Sequence, residues 1–178
     1  MKITLATKIT MVRVLLVIPF MYVALEEGKD YAWAALLIFA VASFTDYLDG
    51  AIARKMNEVT TLGKFVDQLA DKVLVDAAFL VFLQKGDIQS WFVITVISRD
   101  IAVSGLRMIA ATSSKVIAAN YWGKAKTVSQ MSLVFVFLLQ GIFPSLQILD
   151  GLFLWTAFAL TIWSGVIYFV QNAGVFQE

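Results

Sequence analysis

Cysteine and histidine are both absent from this 178-residue chain. Without cysteine there is no disulfide, no thiolate metal site and no thiol nucleophile. Without histidine there is no Ser-His triad and no imidazole base or ligand. Any catalysis must rest on carboxylates, lysines, arginines and hydroxyls. Charge is scarce as well, at 15% of residues against about 25% in an ordinary soluble domain. With 60% apolar residues and a mean hydropathy of +0.81, the chain is suited to a bilayer. Its net charge of +1 gives no bulk attraction to nucleic acid, so what matters is where the charges sit.

The apolar residues fall into six runs, and the expected fold is an all-α integral membrane protein of six transmembrane helices, one domain over residues 1–178. Met1 to Thr10 has Lys2 and Lys8 among Ile3, Leu5 and Ile9, a short interfacial amphipathic segment able to meet lipid headgroups. A cleavable signal peptide is the competing reading. It is disfavoured because the following run ends in Glu26-Glu27 with no small-residue cleavage site. The first span, Met11 to Leu25, is interrupted only by Arg13 and Pro19 and reaches spanning length when the preceding turn is counted. Tyr31 and Trp33 open the second, which runs through Phe44. The others are expected over Leu62–Leu83, Trp91–Ala111, Ala125–Phe143 and Ile148–Val170, with Gln84–Asp87 and the Gly141–Gly151 region around Pro144 as turns.

Six spans place both termini on one side. Lys2, Lys8, Arg13, Arg54, Lys55, Lys64, Lys115, Lys124 and Lys126 fall together there, whereas Glu26, Glu27, Lys29, Asp30, Lys85, Asp87 and Asp150 belong to the opposite loops. By the positive-inside rule the first set is cytoplasmic, in the cell membrane.

Four carboxylates then stand out: Asp46 and Asp49 at the end of the second run, and Asp67 and Asp71 in the third. The i,i+3 and i,i+4 spacings put each pair on one helix face. Two like charges about 5 Å apart repel by roughly 3 kcal/mol at an effective dielectric of 20, so the four need neutralising. A hard divalent cation does this, and an all-carboxylate set suits Mg²⁺, Mn²⁺ or Ca²⁺ over zinc.

The whole stretch reads Asp46-x-x-Asp49-Gly50-x-x-Ala53-Arg54, eight residues, then Gly63-x-x-x-Asp67-x-x-x-Asp71. It resembles the signature of the CDP-alcohol phosphotransferases, D-x-x-D-G-x-x-A-R-x8-G-x-x-x-D-x-x-x-D, with every fixed position filled. The chain departs from many of those proteins at Gln68 and at Ala6-Thr7, where they carry proline and a Pro-Asn pair; none of these residues is a proposed ligand. The resemblance implies a site with two divalent cations, Mg²⁺ or Mn²⁺, surrounded by Asp46, Asp49, Asp67 and Asp71, with Asp71 as general base. It further implies a cytidine nucleotide site at Asp49, Gly50, Ala53, Arg54, Thr60 and Gly63. Helix packing explains Gly50 and Ala53 as well, a membrane boundary Arg54, and a loop and helix start Thr60 and Gly63.

Further on come Arg99-Asp100, Gly105-Leu106-Arg107 and Gly123-Lys124-Ala125-Lys126-Thr127. Arg99 and Arg107 lie about 80° apart on a helix and can address one cavity. These stretches are similar to one branch of the family, whose acceptor is sn-glycerol 3-phosphate. They imply that Arg99, Arg107, Lys124 and Lys126 grip the acceptor phosphate. The alternative has Arg107, Lys124 and Lys126 marking the cytoplasmic interface and Arg99 paired with Asp100. The activity implied is transfer of a phosphatidyl group from CDP-diacylglycerol to glycerol 3-phosphate, by a homodimer among membrane lipids. Another acceptor, such as inositol phosphate or phosphatidylglycerol, is the runner-up, and a membrane cation transporter the reading from a different class. Asp76 lies about 140° round the helix from Asp71 and stays outside the metal cluster. The sixth span reads as scaffold or dimer surface.

Overall fold

The computed structural model describes the backbone of residues 5–56, 61–112 and 120–173, and the side chains of 11–45, 72–110 and 120–173. Six α-helices follow one another: α1 (Leu5–Leu25), α2 (Lys29–Met56), α3 (Thr61–Lys85), α4 (Ser90–Thr112), α5 (Tyr121–Gln140) and α6 (Asp150–Gln171). A short 3₁₀ turn, Pro144–Leu149, leads into α6. There is no strand among the described residues. Residues 5–10, expected within an interfacial amphipathic segment, are helical and continuous with the first span as part of α1.

Helix ends depart from the hydropathy boundaries where local hydrogen bonding decides them. The fifth helix starts at Tyr121 because the Asn120 side chain caps it, accepting a hydrogen bond from the Gly123 amide at 2.7 Å. The basic Gly-Lys-Ala-Lys stretch, which hydropathy places before or at the start of the span, is thereby the first turn and a half of α5. Gly28 and Gly86, with φ of 125° and 84°, make the turns after α1 and α3 in backbone conformations that side chains disfavour.

Helices α1, α2, α3 and α5 meet in one aromatic-rich core. Phe20 of α1 lies 5.7 Å from Phe39 of α2, which stands edge-on to Phe135 of α5 at 5.1 Å. Phe79 of α3 meets Phe92 of α4 edge-on at 5.3 Å. These offset and T-shaped arrangements suit the ring quadrupoles. A smaller cluster, Val103, Leu106 and Tyr168, joins α4 to α6.

The outer surface is apolar too. Leu15, Ile18 and Tyr22 on α1, Ile94, Ile101 and Met108 on α4, and Trp155, Val166 and Val170 on α6 are each more than half exposed. Soluble monomers rarely show apolar stripes of this extent. Among the described residues, Pro144–Gln171 is long and apolar enough to cross a membrane, and Met11–Leu25 is a shorter apolar helix. Among the described side chains, Lys72 and Asp76 of α3, Arg99, Asp100 and Arg107 of α4, and Lys124 and Lys126 of α5 interrupt the apolar surface and border one cavity. At the other end of the bundle, Glu26, Glu27, Lys85, Asp87, Gln140 and Gln147 from three separate turns border another, of about 630 Å³.

Candidate functional site

Four helices send polar side chains into the first of these cavities, of about 230 Å³. The lining includes Lys72 and Asp76 on α3; Arg99, Asp100, Val103 and Arg107 on α4; Gly123, Lys124, Lys126, Thr127 and Gln130 on α5; and Tyr168 on α6. Lys72 with Asp76, and Asp100 with Val103 and Arg107, lie three, four or seven apart and so share a face.

Asp100 is the hub. It is 5% exposed, and its two carboxylate oxygens take different cations. Oδ1 accepts from Arg99 Nη1 at 3.0 Å and Oδ2 from Lys126 Nζ at 2.7 Å. Lys72 Nζ donates to the Asp100 carbonyl at 3.1 Å and also to Ser104 Oγ. Three cations from three helices are thus held against one residue of α4. Paired, hydrogen-bonded charge is the form in which charge can be buried at tolerable cost.

Helix α6 holds the arginines from the other side. Arg99 Nη2 donates to Ser164 Oγ at 3.0 Å, and the Ser164 hydroxyl in turn donates to the Thr161 carbonyl at 3.1 Å. Gly165 lets α6 approach this closely, because a Cβ there would meet Arg99 Cγ at 3.2 Å. Arg107 Nε donates to the Tyr168 hydroxyl at 2.6 Å while its guanidinium lies 5.3 Å from the centre of the same ring. Below them Gln130 Nε2 donates to Thr161 Oγ1 at 3.0 Å, tying α5 to α6.

All four cations singled out for an acceptor phosphate therefore border one cavity. They differ in how free they are. Lys126 is buried against Asp100, and Arg99 is held by Asp100 and Ser164, so part of the alternative reading, pairing of Arg99 with Asp100, is also present. Arg107 keeps guanidinium nitrogens beyond the one bound to Tyr168, and Lys124 is exposed at the rim.

Both halves of the aspartate signature lie in helical backbone, Asp46, Asp49, Gly50, Ala53 and Arg54 in α2 and Gly63, Asp67 and Asp71 in α3. Their side chains, and Thr60 altogether, lie outside the described residues. Among the described residues no three acidic side chains converge on a metal position. The donor set that the signature offers, carboxylates only in a chain without histidine or cysteine, fits a hard divalent cation. Asp71 immediately precedes Lys72, which borders the cavity.

Sequence reasoning missed Lys72, Asp76, Ser104, Ser164 and Tyr168. The sixth helix is no mere scaffold: it supplies Ser164 and Tyr168 to the cations. The available signal was the series Thr161, Ser164, Gly165, Tyr168, small or polar groups three and four apart on an otherwise apolar helix.

Comparison with known proteins finds a family model described as CDP-alcohol phosphatidyltransferase matching residues 3–163. The Bacillus subtilis (strain 168) protein named CDP-diacylglycerol–glycerol-3-phosphate 3-phosphatidyltransferase is 41% identical over 181 residues, covering 96% of this chain and 93% of that one. A Haemophilus influenzae protein of the same name is 38% identical, covering 94% and 92% of the two chains. A third so named, from Rickettsia felis, is 34% identical, covering 87% and 88%.

Proposed function

The chain belongs to the CDP-alcohol phosphatidyltransferase family, and from that premise we propose that it transfers the phosphatidyl group of CDP-diacylglycerol to sn-glycerol 3-phosphate. The products are CMP and phosphatidylglycerophosphate. The observation that carries the acceptor assignment is the cavity between α3, α4, α5 and α6, where Arg99, Arg107, Lys124 and Lys126 gather with Lys72, the residue after the last signature aspartate. Cations of this number around so small a space suit a compact phosphomonoester.

In the reaction an acceptor hydroxyl oxygen forms a bond to the lipid-side phosphorus of the pyrophosphate. The bond from that phosphorus to the bridging oxygen breaks, and CMP leaves with the electron pair. Asp71 takes the hydroxyl proton. Asp46, Asp49, Asp67 and Asp71 would hold two Mg²⁺ or Mn²⁺ ions, which supply charge neutralisation at the pyrophosphate. Asp49, Gly50, Ala53, Arg54, Thr60 and Gly63 take the cytidine nucleotide. Arg107 and Lys124 bind the acceptor phosphate, and Arg99 and Lys126, fixed by Asp100, add positive field behind them.

The same reading makes all six helices membrane spans, with both termini and the site on the cytoplasmic face of the cell membrane and a homodimer as the working unit. The gathering of basic residues at the site end and acidic turns at the opposite end supports this orientation. A second phosphatidylglycerol as acceptor is disfavoured by the cavity's volume of about 230 Å³.

The direct test is incorporation of label from glycerol 3-phosphate into lipid by purified protein. It is expected to require both CDP-diacylglycerol and a divalent cation, and to stop on chelation. Incorporation from a different alcohol alone would overturn the acceptor, and metal flux into liposomes without CMP release would overturn the reaction.

Tyr168→Phe gives a narrower expectation. It removes the hydroxyl that accepts from Arg107 and leaves the ring beneath the guanidinium. Hydrogen bonds to charged groups contribute about 1.5–3 kcal/mol. Some of that is recovered by the freed guanidinium, so KM for glycerol 3-phosphate should rise roughly tenfold, with kcat and KM for CDP-diacylglycerol within about twofold. Steady-state kinetics with each substrate varied separately would check it.

A further inference from the structure

Asp76 borders the same cavity as the cations, yet among the described residues it forms no hydrogen bond and no ion pair. Its neighbours are committed elsewhere. Lys72, one turn earlier on α3, donates to the Asp100 carbonyl and Ser104, and Lys126, across the cavity, binds the Asp100 carboxylate. A half-buried carboxylate left without a donor is costly, and inside a membrane bundle such groups are functional by default.

A site built only for phosphate has no use for this group, because it repels the phosphate. An ionised carboxylate can only accept hydrogen bonds, so its partner must bring O–H or N–H donors. The ligand proposed for this cavity has both features at opposite ends: a phosphate for cations and hydroxyls for an acceptor. Arg107 and Lys124 are the cavity cations not engaged by Asp100, one bound to Tyr168 of α6 and the other exposed near the start of α5.

We propose that Asp76 is a specificity-determining residue of the acceptor cavity, accepting a hydrogen bond from the hydroxyl of a small polyol phosphate that does not react. This rests on the acceptor reading above and deepens it. Asp76 thereby orients the acceptor with its phosphate toward Arg107 and Lys124, and it selects polyol phosphates over phosphates of simple alcohols. A site that hydrogen-bonds a substrate hydroxyl rejects the analogue lacking it, because its own polar group is then left unpaired.

The test compares sn-glycerol 3-phosphate with 3-hydroxypropyl phosphate, which keeps the primary hydroxyl and the phosphate but lacks the secondary hydroxyl. Full-length protein with CDP-diacylglycerol in mixed micelles serves for wild type, Asp76→Ala and Asp76→Asn. Wild type should favour glycerol 3-phosphate by roughly 10- to 100-fold in kcat/KM, the range for a charge-assisted hydrogen bond. In Asp76→Ala the preference should collapse to within about twofold, with turnover of the analogue retained. Asp76→Asn keeps the volume and one acceptor oxygen and should fall between. Turnover of the analogue also shows that each variant is folded. An unchanged preference ratio, however far the absolute rates fall, overturns the role of Asp76 alone. Failure of wild type to use either phosphate overturns the acceptor reading and the role of Asp76 with it.

Discussion

Asp100→Ala is expected to destabilise the folded protein by about 3–5 kcal/mol, the usual cost of removing one partner from a buried ion pair, and to raise KM for the acceptor. The expectation follows from what Asp100 holds. Its side chain is 7% exposed, and it binds Arg99, whose side chain is 13% exposed, and Lys126, at 6%. Removing the carboxylate leaves two cations facing each other with little water to screen them, and Lys72 retains only the backbone carbonyl and Ser104. Arg99 still has Ser164, so it stays near the cavity but loses the contact that fixes its plane; Lys126 loses its carboxylate partner. Asp100→Asn preserves shape and one acceptor oxygen but presents an amide donor to one of the two cations, and should be intermediate. Thermal unfolding in detergent, followed by acceptor kinetics, separates the two effects. A melting temperature equal to wild type would mean that the triad is not held as described. Retained affinity for CDP-diacylglycerol should accompany the loss at the acceptor end, since Asp100 belongs to the cavity and not to the aspartate signature.

Parts of this arrangement were legible before any coordinates. Six apolar runs separated by short polar turns correspond to six helices, because helix length and apolar composition are local properties. The aspartate signature was legible as a pattern, and its residues fall in α2 and α3. Arg99, Arg107, Lys124 and Lys126 were found together because charge in an apolar run is conspicuous. The partners of those cations were not legible. Ser164 and Tyr168 lie on the most apolar helix, where the series of small and hydroxyl residues marks a face but names no partner until the rotation of α6 against α4 is known. Asp100 was visible only as the neighbour of Arg99; that it also binds Lys126, on the next helix, depends on α4 and α5 packing at one particular register. Asp76 was judged by its angle from Asp71 on its own helix. That angle says where it points relative to the signature, and nothing about the cavity formed beside it by three other helices. The start of the fifth span, expected at about Ala125, falls at Tyr121 for a related reason: hydropathy does not register the Asn120 cap.

Asp71→Asn is expected to lower kcat by roughly 10²–10⁴-fold, the contribution of a positioned general base, while leaving binding of CDP-diacylglycerol largely intact. The asparagine matches the carboxylate in shape but cannot take the acceptor's proton. An alcohol is a poor nucleophile while it keeps that proton, so the loss should fall on turnover and not on either KM. In sequence Asp71 is followed directly by Lys72, whose ammonium is anchored to Asp100 and Ser104 at the cavity edge. Asp67→Ala provides the contrast, since removing a carboxylate whose assigned work is to hold metal should weaken nucleotide-lipid binding itself. Equilibrium binding of CDP-diacylglycerol to both variants, measured with saturating Mg²⁺ or Mn²⁺, distinguishes the roles. If Asp71→Asn loses binding as severely as Asp67→Ala, then Asp71 serves mainly as a ligand and the proton must leave by another route. Retained binding with lost turnover, together with normal affinity for glycerol 3-phosphate, would leave proton removal as the step that fails.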